Sequence, residues 1–142
     1  ILGFAKKTLT VMKRRSEYAY FMLSLLYFDL FFERSVYVML ENKFQANLIK
    51  EIKTIFPNAI IVKNDSSYIQ GIPDLTVFNE DGWATLECKK KANAKHQPNQ
   101  DYYVDKMDHM SFSRFIYPEN KEEVLDDLRV HFGTKSKEAV DK

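Results

Sequence analysis

Gly71-Ile72-Pro73-Asp74-Leu75-Thr76-Val77-Phe78, then Asn79-Glu80-Asp81-Gly82, then Trp83-Ala84-Thr85-Leu86-Glu87-Cys88-Lys89 is the stretch on which the reading of this chain turns. Residues 75–78 and 83–86 are short runs of strand formers, and the residues between them have the composition of a four-residue hairpin loop. If Phe78 pairs with Trp83, antiparallel counting sets Asp74 directly opposite Glu87, with Cβ atoms about 5 Å apart on one face. Like charges so opposed are destabilising, which leaves a different register, a protonated acid, or a cation between the two. A cation held by oxygens alone is a hard one, and magnesium suits it.

The two-residue period puts Lys89 on the face of Glu87 and turns Leu86 and Cys88 to the other. Two acids and a lysine on one face, with a divalent cation, are what is needed to polarise a phosphodiester, activate water and offset charge building on the phosphorus oxygens.

Composition restricts the setting. With 142 residues, 45% hydrophobic and 29% charged, the chain is long enough for one soluble domain with a real core. Its net charge of +1 is spread unevenly, with six basic and three acidic groups in residues 1–38 against fifteen and seventeen in residues 39–142. The latter part is no bulk-basic nucleic-acid binder, so phosphate contacts have to come from the local cluster Lys89, Lys90, Lys91 and Lys95, together with a metal. The single cysteine, Cys88, excludes an internal disulfide and reads as a buried thiol. His96, His109 and His131 have no metal-ligand spacing with each other or with Cys88, which speaks against zinc.

Residues 1–38 set a basic stretch ending in Arg14-Arg15 before the apolar run 18–32, an arrangement like a signal segment. Asp29 interrupts the run, and it falls short of the ~20 residues that span a bilayer. Met39 stands directly before the recognisable domain, so residues 1–38 are taken as an upstream extension, with a packed amphipathic helix or a membrane-surface anchor as the second reading. From 40 to 56, Phe44, Leu48, Ile49, Ile52, Ile55 and Phe56 recur at helical spacing until Pro57-Asn58 stops them. Glu41, on the first turn, borders the apolar face and can point at the hairpin; an acid complementing the helix dipole is the plainer explanation. Residues 59–63 form a strand, and the polar loop 64–68 lies near the mouth of the site with no role assigned.

Pro98 is read as the opening of a second helix with Tyr103, Val104, Met107 and Met110 on one side. That places Gln100 on the inward face of the first turn, where it needs a partner, with Gln97 in its place if the helix starts earlier. Residues 112–117 form the fourth strand, joined by a crossover and therefore parallel to the one before. Asn120 with Glu123 resembles a capping pair for a last helix carrying Val124, Leu125, Leu128 and Phe132; Gly133 ends it, and 134–142 is a flexible tail. The fold class is thus α/β, a mixed four-stranded sheet flanked by helices.

Pro73-Asp74, twelve intervening residues and Glu87-Cys88-Lys89 resemble the PD-(D/E)XK nuclease signature. Gly71-Ile72-Pro73-Asp74-Leu75, Glu87-Cys88-Lys89 and the following glutamine resemble more narrowly the virus-type replication and repair (VRR-NUC) branch and phage or archaeal Holliday-junction-resolvase-like enzymes. The resemblance implies a restriction-endonuclease-like αβββαβ core over residues 39–133. It implies catalytic roles for Glu41, Asp74, Glu87, Lys89 and Gln100, and a magnesium ion, replaceable by manganese, on Asp74, Glu87, the Cys88 backbone carbonyl and Glu41, the last directly or through water. DNA is the implied partner, contacted by Lys90, Lys91 and Lys95 in the cytoplasm of a bacterial or phage-infected cell, with no small-molecule cofactor and no membrane.

One metal site per chain nicks one strand, so paired cuts call for a homodimer, for which Tyr102, Tyr103 and Phe112 offer aromatic surface. The competing reading is a non-catalytic nucleic-acid-binding module that keeps the fold, although binding alone gives no reason to retain two opposed carboxylates. A third is a small membrane-associated protein built around residues 18–32.

Overall fold

A computed structural model describes the backbone of residues 2–80 and 82–138 and the side chains of residues 17–80 and 82–133. The chain divides into two units, Ile1–Met39 and Leu40–Lys142. The described residues of the first unit are helical, within α1 (Leu2–Ile55). Its side chains from residue 17 onward are exposed except for half-buried Val36, and they include Tyr20, Tyr27 and Leu30. No helix among the described residues is long and apolar enough to cross a membrane.

The second unit is an α/β arrangement with a four-stranded mixed sheet in the order β1-β2-β3-β4. The strands are β1 (Ile60–Lys63), β2 (Leu75–Asn79), β3 (Gly82–Cys88) and β4 (Ser113–Ile116); α2 (Gln100–Met110) connects β3 to β4, and α3 (Lys121–Glu138) follows. β1–β2 and β2–β3 pair antiparallel, and β3–β4 pair parallel, as a strand-helix-strand crossover requires.

β3 is buried along almost its whole length because both faces of the sheet are covered there. On one face Leu75, Leu86 and Cys88 join Leu48 and Ile52 of α1 and Leu128 of α3 in a single buried cluster. Thr85, Glu87 and Lys89 lie on the other face under α2, where Thr85 donates to Ser113 Oγ at 2.7 Å.

Four local expectations are corrected. The ladder extends to Asn79↔Gly82, so the turn holds two residues instead of four; Glu80 takes the left-handed φ of 48° that so tight a turn asks for. α2 begins at Gln100, two residues after Pro98, because Asn99 takes φ 67° and interrupts the helix before it. Asn120 does not cap with Glu123: its side chain turns back on β4, accepting from Tyr117 N–H and donating to the Phe115 carbonyl. Gly133 does not end α3, which runs to Glu138; a glycine stops a helix by going left-handed, and among the described glycines only Gly71 does so. Of the expected tail, residues 139–142 lie outside the described residues.

Candidate active site

The β2–β3 ladder pairs Phe78 with Trp83 and ends at Leu75↔Leu86, so the next opposed residues are Asp74 and Glu87. Their carboxylates reach across the open end of the ladder. Glu87 Oε2 accepts from the Asp74 backbone N–H at 3.2 Å, and Asp74 Oδ2 accepts from the Cys88 N–H at 2.9 Å. Each acid thus stands where a further rung would stand, held by the other strand's backbone.

What holds Asp74 at that height is Asn64, in the polar loop 64–68. Its amide donates to the Pro73 carbonyl at 2.7 Å and to Thr76 Oγ1 at 2.9 Å, while its backbone N–H donates to the Asp74 carbonyl at 2.8 Å. Nothing in an Asn-Asp-Ser-Ser run distinguishes such a clasp from ordinary turn composition.

Lys89 continues the face of Glu87, and its ammonium group is buried with it. Nζ lies 3.2 Å from Glu87 Oε1 and donates to Gln100 Oε1 at 2.7 Å. The Gln100 amide completes the triangle, because Nε2 donates to Glu87 Oε1 while Oε1 also accepts from the Gln97 N–H at 2.7 Å. Two donors on one side and a carboxylate on the other allow only one orientation of that amide. Gln97, the alternative to Gln100, takes part through its backbone.

The electrostatics of the site run against ionisation. Burial pushes Glu87 up to about 7, the charge of Asp74 adds to this, and Lys89 opposes it. Burial also raises Asp74, against the hydrogen bond from Cys88 N–H and the charges of Lys89 and Lys63. Glu41 is raised by burial too, with Lys89 opposing and Asp74 reinforcing. Three acids that burial holds back from ionisation, against the pull of Lys89, Lys63 and Lys90, are a donor set short of positive charge. The Cys88 thiol is fully buried, and burial lifts it far above its usual range, which leaves it a packing group.

Asp74, Glu87, Lys89, Gln97 and Gln100 line a cleft of about 360 Å³ together with Glu41, Lys90 and Lys95. α1 therefore delivers Glu41 to the same opening as the hairpin acids. Lys91 is exposed and does not line the cleft, whereas Ser66 and Ile72, not singled out from the sequence, do. Of the aromatics expected at a dimer surface, Tyr102 is exposed, Tyr103 half-buried and Phe112 buried, its ring packed near that of His131. Phe112 is thus removed from that surface.

No protein-family model, curated protein or solved structure matches this chain. Asp74 and Glu87 suit a hard divalent cation, being adjacent oxygen donors whose mutual repulsion a cation would relieve. Among the described residues no group of three or more His, Cys, Asp or Glu side chains is gathered closely enough to hold an ion unaided. A shell built on the pair has to be completed by backbone carbonyl and water.

Proposed function

We propose that this chain is a magnesium-dependent endonuclease of the PD-(D/E)XK type, with a restriction-endonuclease-like core, that hydrolyses DNA phosphodiester bonds. The observation that carries the reading is the opposed Asp74–Glu87 pair joined through Lys89 to Gln100 in an open cleft with Lys90 and Lys95 at its wall. Asp74, Glu87 and the Cys88 carbonyl are the groups to hold the ion, with Glu41 acting through water. Magnesium at that position supplies Lewis-acid polarisation of the phosphoryl group and eases deprotonation of water.

The chain's own residues do the rest. Hydrolysis joins a water oxygen to phosphorus and breaks one ester P–O bond, so negative charge builds on the non-bridging oxygens on the way. Lys89, aimed by Gln100 and deprived of bulk water, offsets that charge where an exposed ammonium would be screened. Lys90 and Lys95 draw the phosphate backbone into the cleft. Paired cuts on a duplex or junction require two such sites, which makes a homodimer the corresponding assembly.

Incubating the full chain with linear, flap and four-way-junction DNAs, with magnesium and with EDTA, tests the reading. Cleavage of at least one substrate only with the metal is the expected result. Binding without cleavage under any divalent cation would replace the enzyme by a nucleic-acid-binding module of the same fold, and neither binding nor cleavage would remove both.

A further inference from the structure

We propose that His96 is a further phosphate-contacting residue beside this site, carried on Phe115 of the strand next to Glu87; the inference rests on the nuclease reading above. In the parallel β3–β4 ladder Glu87 is partnered by Phe115, and partnered residues project from the same face of a sheet. Phe115 therefore stands beside Glu87 on the face that carries the acids. The His96 imidazole lies flat on the Phe115 ring, with centroids 4.1 Å apart and planes inclined by 15°. Its chain neighbours Lys95 and Gln97 both line the cleft.

A histidine that merely covered a phenylalanine would need no polar partner, yet His96 Nδ1 lies 2.6 Å from Asp101 Oδ1 in the first turn of α2. The stack sets the plane of the ring, and the carboxylate sets its rotation within that plane. No hydrogen bond to Nε2 forms among the described residues. With both imidazole nitrogens carrying hydrogen, Nδ1 is taken by Asp101 and the Nε2–H is left to a further acceptor. The ligand such a donor takes on this face is a phosphate oxygen of the nucleic-acid strand, neighbouring the phosphate over Asp74 and Glu87.

The test separates stacking from phosphate contact. Labelled linear duplex and four-way-junction DNAs are titrated with the full chain in EDTA, which withholds the metal, at several salt concentrations. His96→Phe keeps a ring on Phe115 and loses Nε2; His96→Gln loses both. Both variants are expected to bind about tenfold more weakly, with the slope of log affinity against log salt smaller by about 0.9, the share of one phosphate. His96→Lys restores a cation and should recover most of the affinity and the slope. Thermal midpoints within a few degrees of the parent for His96→Phe confirm that the fold is kept. A His96→Phe chain that binds with wild-type affinity and slope overturns the inference while leaving the nuclease reading standing. A wild-type chain that binds neither DNA removes that reading and the inference together.

Discussion

Asp74 and Glu87 are tied to each other by the backbone of the hairpin as well as opposed by charge, since the Asp74 N–H donates to Glu87 Oε2 at 3.2 Å. Holding two like charges in contact costs stability, and the fold accepts that cost because the ladder allows the acids no other place. The arrangement makes the two carboxylates unequal under substitution.

Asp74→Asn is expected to be the clean knockout. Its amide oxygen can still accept from Cys88 N–H while the repulsion disappears, so the metal-free protein should gain about 1 kcal/mol. Glu87→Gln has donors on both oxygens, from Asp74 N–H on one and from Lys89 and Gln100 on the other, so its NH2 must face a donor, at a cost of about 1–3 kcal/mol. Cleavage should fall more than about a hundredfold in both, exceeding the loss typical of groups that only support a metal ligand. Thermal melts in EDTA beside cleavage assays decide it; a destabilised Asp74→Asn or an active variant of either kind would contradict the assignment.

The pH dependence of stability follows from the raised acids. Glu87, at about 7 in the fold against 4.5 unfolded, keeps its proton in the native state over a window where the unfolded chain has lost it. The native state then binds more protons, so without metal stability falls as pH rises from about 4.5 to about 7, by about 3 kcal/mol from this group. Glu41 and Asp74 shift in the same direction and add to the fall. Magnesium should reverse it by binding the ionised pair, stabilising the protein more at pH 8 than at pH 5.5. Melting temperatures at both pH values with magnesium and with EDTA measure this, and an EDTA curve that rises with pH would show that the acids are paired in some other way.

Lys89→Met fills the same space without charge. Turnover should drop about 10²–10³-fold at saturating DNA while affinity changes little, because the ammonium acts on charge that develops only in the transition state. Lys90→Ala and Lys95→Ala, at the cleft wall, should instead weaken affinity with kcat nearly intact, and Lys91→Ala, outside the cleft, should do so least. Single-turnover rates with magnesium and equilibrium binding in EDTA separate these effects; a Lys89→Met chain with normal kcat would exclude the lysine from the chemistry.

Gly71→Ala tests how Gln100 is placed. Gly71 has φ +90°, and a Cβ there would meet the Asn99 carbonyl carbon at 2.6 Å and the Pro98 carbonyl oxygen at 2.7 Å, both backbone atoms that cannot swing aside. The variant should lose about 1–3 kcal/mol of stability and, by pushing the start of α2 away, disengage the Gln100 amide from Lys89 and Glu87. Turnover should therefore fall further than affinity. An alanine variant with unchanged melting temperature and rate would mean that the Gly71–Asn99 contact positions nothing.

The hairpin and its opposed acids were legible because a β-ladder obeys a counting rule: one pairing, Phe78 with Trp83, settles all others, whether the turn holds four residues or two. The amphipathic patterns of residues 44–56 and 124–132 were legible for a similar reason, since helical period alone places Leu48, Ile52, Leu125 and Leu128 on buried faces. Local composition misled where a residue has two uses. Gly133 carries the mark of a helix stop but takes a helical conformation, and Phe112 has the apolar ring of an interface residue but is covered beside His131.

By itself, then, the amino-acid sequence determined the α/β order of elements, the register of the hairpin and the gathering of Asp74, Glu87 and Lys89 on one face, all consequences of periodicities that act within a few residues of the chain. Only the tertiary structure decided that Gln100 locks Lys89 to Glu87, that Asn64 clasps the Pro73–Asp74 peptide, that Gly71 admits the Asn99 backbone and that His96 lies on Phe115. Each of these is a contact between segments 9 to 28 positions apart, set by how the helix and loops pack over the sheet, and no local pattern of side chains encodes where such segments meet.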